Sequence, residues 1–283
     1  MKASSVDYVR PASLADAIAL LAQHGNDGKL IAGGQSLLPA LNLRLSAPPL
    51  LIDIGRLPEL QTIELGPTHL RIGAGCTYAT LLGHAEVARH APLIVRALAD
   101  VAHAAIRTRG TIGGSIANAD PAAEMPACVL ALGATIAVEG PRGRRTIPVD
   151  DFFTGMFETA LAADEILVAI DIPLQPGAHW GFAELARRSG DYAIVGLAAH
   201  GLPGAFRLAF FSVGGVAVLA RRAASALAAG VTGASIAAAA HALAEDLPKH
   251  SDLQASAAVR LHLARVVLGR VVGAWAEPSQ VAA

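Results

Sequence analysis

The stretch Gly110-Thr111-Ile112-Gly113-Gly114-Ser115-Ile116-Ala117-Asn118-Ala119-Asp120-Pro121 decides the reading of this chain. A shorter counterpart, Ala32-Gly33-Gly34-Gln35-Ser36, ends the apolar run Leu30-Ile31. In each, two adjacent glycines precede a polar side chain. Adjacent glycines remove two Cβ atoms and let an anion approach the backbone closely. Successive N–H groups then point into one concavity, a nest for phosphate oxygens. Thr111, Ser36 and Ser115 add hydroxyl donors. One such pair alone reads more readily as a tight turn, since glycine is the commonest turn residue. Two nests suit a diphosphate better than a monophosphate.

Composition limits what these loops belong to. The 283 residues allow two or three modest domains with a sizeable core. Hydrophobic residues make up 53% and aromatic residues only 4%, so alanine, glycine and short aliphatics do the packing. A net charge of -1 leaves no basic footprint for nucleic acid. The mean hydropathy of +0.48 raises the question of a membrane span. The longest stretch without Asp, Glu, Lys or Arg, residues 223–244, is mostly alanine and is broken by Gly230 and Gly233. No transmembrane helix is expected from it. With no basic segment leading into an apolar core near Met1, a cytoplasmic location is expected. Cys76 and Cys128, the only two cysteines, cannot ligate a four-cysteine iron–sulfur cluster and read as small buried hydrophobes.

Along the chain, Ser13 followed by Asp16 reads as an N-cap, with Leu14, Ile18 and Leu21 at helical spacing and Gly25 as the stop. A strand over 30–32, a helical turn over 37–44 and a strand over 50–54 complete a small α/β unit of about residues 1–56. A second unit, about 57–176, opens with a strand over 70–74. There Gly73-Ala74-Gly75 does not complete Gly-x-Gly-x-x-Gly, because Tyr78 stands in the last place, so a Rossmann fold has no support. Thr77 caps a helix through Leu82, and Pro92 opens one that runs to about Ala105. A helix over 127–133, a strand over 134–138, a hairpin turn over 139–143 and a strand over 166–172 follow. Leu174-Gln175-Pro176-Gly177 reads as a linker. In 177–283, three strand-like runs (180–186, 193–200, 207–213) precede helices opening near Val218 and covering 235–247 and 253–275. Strands followed by helices predict an α+β unit with a three-stranded antiparallel sheet.

No histidines show the spacing of a helical metal site. Gly-x-Ser-x-Gly and Walker motifs are absent from the sequence. The chain offers phosphate binding without a catalytic side chain or a metal ligand. That is the profile of a protein whose cofactor does the reaction.

The stretch Ile106-Arg107-Thr108-Arg109-Gly110-Thr111-Ile112-Gly113-Gly114-Ser115-Ile116 closely resembles the flavin loop of the medium, FAD-binding subunits of molybdenum hydroxylases, the carbon monoxide dehydrogenase and xanthine dehydrogenase types. Ala32-Gly33-Gly34-Gln35-Ser36-Leu37-Leu38-Pro39, with Arg44 after it, resembles the family's other FAD loop. The likeness runs from Tyr8-Val9-Arg10-Pro11 to the last helix. It implies an α+β fold: two α/β FAD-binding subdomains of the vanillyl-alcohol-oxidase (PCMH) type over 1–176, and a CO-dehydrogenase-flavoprotein-like C-terminal domain over 177–283.

Residue by residue, the resemblance implies that Ala32, Gly33, Gly34, Gln35, Ser36 and Leu37, with Thr111, Ile112, Gly113, Gly114 and Ser115, hold the FAD pyrophosphate. Asn118 and Glu124 lie where the family places further polar contacts, Glu124 occupying what is often an aspartate. Ile166 and Leu167 resemble the apolar pair that packs near the adenine or flavin end. The segment Arg187-Arg188-Ser189-Gly190-Asp191-Tyr192-Ala193 resembles the one that closes over the isoalloxazine, with Arg187 at the pyrimidine edge and Tyr192 against the ring. Read from the residues alone, Asn118 and Asp120 are also turn formers before Pro121, Arg187 and Arg188 a solvated strand edge, and Tyr192 a core residue.

The function implied is that of an FAD-binding electron-transfer subunit of a heterotrimeric molybdenum hydroxylase. A small partner would carry [2Fe–2S] clusters and a large one the molybdopterin cofactor. The trimers would pair into a dimer, and an external acceptor would take the electrons. Two rivals share the same motifs: a stand-alone FAD-dependent reductase and a non-enzymatic module that binds a phosphate ligand.

Overall fold

The computed structural model describes residues 3–188 and 190–276. The Ser13 hydroxyl accepts from the Asp16 N–H and starts the helix Leu14–His24, which Gly25 ends. Leu14, Ala17 and Leu21 are its buried face, packed on a parallel sheet ordered Asp7–Val9, Leu50–Asp53, Gly28–Ile31. Because the strands are parallel, the chain leaves Ile31 and Asp53 at the same edge, where ligands of open α/β sheets bind. There Arg10 Nη2 bonds Asp53 Oδ2 at 2.9 Å, and the Tyr8 hydroxyl donates to the same oxygen.

The second sheet has five strands in the order Ile63–Leu65, His69–Gly73, Ile166–Pro173, Thr135–Gly140, Gly143–Pro148, and the neighbours are antiparallel. The hairpin foreseen at 139–143 closes as a tight turn, since Gly140 pairs with Gly143. The helix foreseen from Pro92 to about 105 stops at Leu98. Ala102 takes a left-handed φ of 43°, braced by Arg107 Nη1 on the Val101 and Ala102 carbonyls, and a short helix Ala104–Arg107 follows. The helix foreseen over 127–133 begins earlier, at Glu124, and runs Glu124–Leu132.

The third sheet corrects the three-stranded expectation. It has four strands: His179–Ala186, Ala193–Gly201, Arg207–Phe211 and Val218–Leu219. The fourth is the stretch the sequence assigned to a helix start. Val218 pairs with Phe210, and the helix Arg221–Ala226 opens only after Ala220. A two-residue strand is too short for alternation to show in the sequence.

Strand alternation sorts the long strands of this sheet. Val195, Leu197, Leu208 and Phe210 face one core with the helices Gly233–Asp246 and Ala257–Gly273. Phe182, Ala198, Ala209 and Phe211 face the other way and join the core of the five-stranded unit. Phe182 and Phe211 stack there with ring centroids 5.8 Å apart. Polar ties reinforce the seam: Arg207 Nε donates to the Leu130 carbonyl at 2.9 Å, and the Ser212 N–H to the Pro121 carbonyl at 2.9 Å. Among the described residues, no helix is long and apolar enough to cross a membrane.

A continuous core predicts that both units melt together. Phe211→Ala should cost about 3–5 kcal/mol, as truncation of a fully buried aromatic does. Leu253→Ala, at a fully exposed side chain, should stay within about 0.5 kcal/mol. Calorimetry of the wild type and Phe211→Ala should show one cooperative transition in each. Two resolved transitions in Phe211→Ala would show that the C-terminal sheet melts on its own.

Candidate functional site

The two glycine motifs touch through their backbones. A Cβ on Gly33 would lie 2.1 Å from the Arg109 carbonyl oxygen, so no other residue permits this approach. An isolated bridge between Thr77 and Thr111 holds the second motif in place. Their meeting leaves a cleft of about 230 Å³ lined by Ala32, Gly33, Asp53, Gly55, Thr77 and Thr111. Arg10, Arg56, Thr108 and Arg109 also reach into it. Arg10 is spent on Asp53. Arg56 and Arg109 are exposed, and among the described residues neither has an ion-pair partner.

The first motif is an open loop, as its sequence implies. Gly34 sits at φ 72°, a conformation that favours glycine. Among the described residues, the N–H groups of Gly33, Gly34, Gln35 and Ser36 have no acceptor. Ser36 precedes the helix Leu37–Asn42 without spending its hydroxyl as a cap. Gln35 does not reach outward: its Nε2 donates to the Gly33 carbonyl at 2.9 Å and braces the loop.

The second motif departs from the expected nest. Thr111 is the N-cap of a helix, Ile112–Asn118, and its Oγ1 accepts from the Gly114 N–H at 3.1 Å. The N–H groups of Ile112, Gly113 and Ser115 are spent on the carbonyls of Cys76, Ala74 and Thr111 at 3.1, 3.0 and 3.1 Å. Gly113 is there for packing, since a Cβ would stand 2.4 Å from that of Ala74. The Ser115 hydroxyl lies near the buried Tyr78 phenol and eases its ionisation slightly against the larger effect of burial. On this side an anion therefore meets the exposed Gly114 and the side chains of Thr108 and Arg109. Free amides facing unpaired guanidinium groups fit a diphosphate.

Further along, the helix Ile112–Asn118 ends at Asn118, half-buried, with Ala119 left-handed at φ 48°. That turn projects Asp120 toward Tyr192, close enough for its charge to act on the phenol. Tyr192 is 58% exposed, so it is no core residue. Partial loss of water around its phenol, and then the Asp120 charge, push its pKa up to about 12. Glu124 opens the next helix, and burial followed by the charges of Asp120 and Asp100 pushes it up to about 7. Arg187 is exposed and reaches the Gln254 carbonyl at 3.4 Å. Ser189 lies outside the described residues. Ile166 and Leu167 are both buried, Ile166 in the core shared with the first sheet and Leu167 in the large central core. No group of three or more metal-ligating side chains exists among the described residues.

Residues 4–175 match the family model of the FAD-binding domain in molybdopterin dehydrogenase, and residues 180–274 that of the CO dehydrogenase flavoprotein C-terminal domain. The chain belongs to this family. Nicotine 6-hydroxylase medium subunit of Paenarthrobacter nicotinovorans is 46% identical over 198 residues, 70% of this chain and 69% of that protein. Subunit alpha of the 6-hydroxypseudooxynicotine dehydrogenase complex from the same organism is 38% identical over 280 residues, 96% and 95% of the two chains. A chain in the structure of carbon monoxide dehydrogenase from Hydrogenophaga pseudoflava lacking the Mo-pyranopterin moiety superposes with a TM-score of 0.93 at 37% identity, covering 97% and 98%.

The protein is thus an FAD-binding electron-transfer subunit of a heterotrimeric molybdenum hydroxylase or dehydrogenase, and an enzyme component. Neither rival reading survives. The sequence reading did not single out Arg56, Arg109, Tyr78 or Asp120 as site residues, which the fold brings to the cleft or to its surroundings. Arg109 lay inside the quoted motif. Tyr78 had been noticed only as the residue that spoils a Rossmann fingerprint, yet it is buried against Ser115 with its phenol raised well above the ordinary value, first by burial.

Gly33→Ala should lower the apo-protein's stability by about 1–3 kcal/mol or more, because the added methyl meets a backbone carbonyl. Arg109→Gln should leave apo stability within about 0.5 kcal/mol and weaken flavin binding, because its side chain is solvent-exposed. Thermal melts without flavin, paired with flavin fluorescence titrations, separate the two effects.

Proposed function

We propose that FAD lies across the cleft with its diphosphate between the open amides of residues 33–36 and the charges of Arg56 and Arg109. The observation that carries this is the set of unacceptored N–H groups where Gly33 meets Arg109. Ala32, Leu37, Thr111, Ile112, Gly113, Gly114 and Ser115 shape the walls around it. The isoalloxazine lies toward Tyr192, Asn118 and Glu124, with Ile166 and Leu167, buried at the start of the strand Ile166–Pro173, as packing. Bound FAD supplies the redox chemistry, and the chain positions it, tunes it and limits access to it. Arg187, held by one long contact, is placed to put positive charge at the pyrimidine edge. Such a charge favours negative charge developing there.

In this reading residues 1–176 form the FAD-binding domain, divided near residue 56, and residues 177–283 the C-terminal domain. Electrons arrive from [2Fe–2S] clusters on a small partner subunit, downstream of a molybdopterin centre on a large one, and leave to an external acceptor. The assembly is a dimer of heterotrimers. Two free, buried thiols, Cys76 and Cys128, support a reducing, cytoplasmic compartment.

Reconstituted with FAD, the isolated chain should be yellow and reducible by an artificial donor, and it should not oxidise the complex's substrate. Oxidation of that substrate by the chain free of molybdenum and iron would refute the proposal. Tyr192→Ala should retain FAD, because ring stacking contributes only about 0.5–1.5 kcal/mol beyond area burial. Its reduced flavin should react faster with oxygen, and its visible spectrum should shift. An unchanged spectrum and reoxidation rate would place the ring elsewhere.

A further inference from the structure

Two carboxyl groups stand in the seam between the domains, where alternation calls for apolar side chains. On the strand His179–Ala186, Gly181 faces Val271 of the last helix and Trp275 just after it, and Phe182 joins the central core. Glu184, two residues on, shares the face of Phe182 and so enters the interface. The helices Pro92–Leu98 and Glu124–Leu132 pack against this sheet. Glu184 Oε2 is sealed from solvent and has no hydrogen-bond partner. Glu124 enters the same interface from the start of its helix, and the Cys128 thiol one turn later feels both carboxyls.

The other charged groups facing the pair do not neutralise it. Arg96 reaches Glu184, but its Nη1 is committed to Asp100 at 2.6 Å and its guanidinium lies 5.7 Å from the centre of the Phe182 ring. Asp100 adds negative charge toward both carboxyls, and Asp120 toward Glu124. The phenols of Tyr78 and Tyr192 also border Glu124. Burial first, and then Glu124 and Asp100, push Glu184 from the ordinary 4.5 to about 8. Two like charges out of water without a dedicated cation do not both ionise.

We infer that Glu124 and Glu184, standing in the seam between the two domains, carry at least one proton between them at neutral pH, and that the pair takes up another when negative charge is added at the flavin site. The second half rests on the proposed ring position. Bound flavin would take two electrons and one proton, from an iron–sulfur donor or an artificial reductant, and so would add one negative charge at the site. In the pair a solvent proton forms one O–H bond on a carboxylate, and no other bond changes. Glu184 acts through Glu124 and is a positioning residue for charge.

The pair is tested on apo-protein. A carboxyl whose folded pKa is raised adds stability that is present below the unfolded value and lost as pH rises through the folded one. Wild-type melting temperature should therefore fall between about pH 5 and about pH 9, and Glu184→Gln should flatten that fall. Asp100→Asn should make the fall end at lower pH, because one negative charge facing the pair is removed and Arg96 is freed to face it. Coincident pH profiles for the wild type and Glu184→Gln overturn the pair. The link is tested on FAD-loaded protein, where the flavin midpoint potential should fall more steeply with pH above about 7 in the wild type than in Glu184→Gln. Equal slopes overturn the link while the apo result stands. Failure of the wild type to bind FAD overturns both the link and the site reading, and leaves the apo melts to judge the pair.

Discussion

A helix that is apolar around its whole circumference has to be covered on every side, and Glu124–Leu132 is such a helix. Every residue from Met125 to Leu132 is buried. One sheet can cover only part of it, so the five-stranded unit alone would leave half of it in water. The four-stranded sheet completes the cover through Ala193–Gly201 and Arg207–Phe211. The C-terminal unit is therefore a structural requirement of the FAD-binding unit. The turn before this helix, Asn118 to Pro121, is pinned from both sides, by the helix Ile112–Asn118 and by the Ser212 N–H. That is why Asp120 and Glu124, from the FAD-binding unit, meet Tyr192, at the start of a strand of the C-terminal unit.

The sequence disclosed the fold wherever local signals agreed with burial. The Ser13 cap, the strand over 50–54, the Thr77 cap and the strand over 166–172 all appear within a residue or two of expectation. It failed where packing overrode local pattern. Alanine-rich helices carry weak periodicity, so the start at Glu124 and the separate helix Ala85–His90 left little trace. The turn at Ala102 depends on Arg107 reaching back to two carbonyls, which no window of sequence displays. The fourth strand depends on pairing with Phe210, a tertiary fact.

For the site, the sequence pointed to two segments that the fold brings into contact, and the backbone hydrogen bonds change what the second of them can offer. Both Gly-Gly pairs looked alike because glycine reports that a Cβ is excluded without saying what excludes it. At Gly33 the excluder is the Arg109 backbone, and at Gly113 it is Ala74. A threonine three residues before Gly114 is itself an N-cap signal, and weighing it would have converted the second nest into a helix start. Arg56 and Glu184 lay beyond reach for a different reason. One exposed arginine and one strand glutamate are unremarkable until the fold shows that the first lacks a counter-ion at a cleft and the second lacks a partner in a core.

The electrostatic layout around the proposed flavin now has a sense of direction. Unpaired guanidinium groups sit at the diphosphate end, where the ligand's charge is permanent. At the proposed ring end, where charge would come and go, stand Glu124 and Glu184, whose loss of water raises them into the neutral range. A fixed cation there would favour the reduced form at every pH. A carboxyl that can gain a proton responds only when charge arrives, and it compensates that charge with a particle drawn from water. Arg187 on the exposed side and Glu124 on the buried side then act differently: the first sets a constant bias, and the second makes the bias depend on pH. The desolvation penalty of burying Glu184 without a partner is tolerable because the neutral acid, and not the carboxylate, is the form the folded protein holds near pH 7.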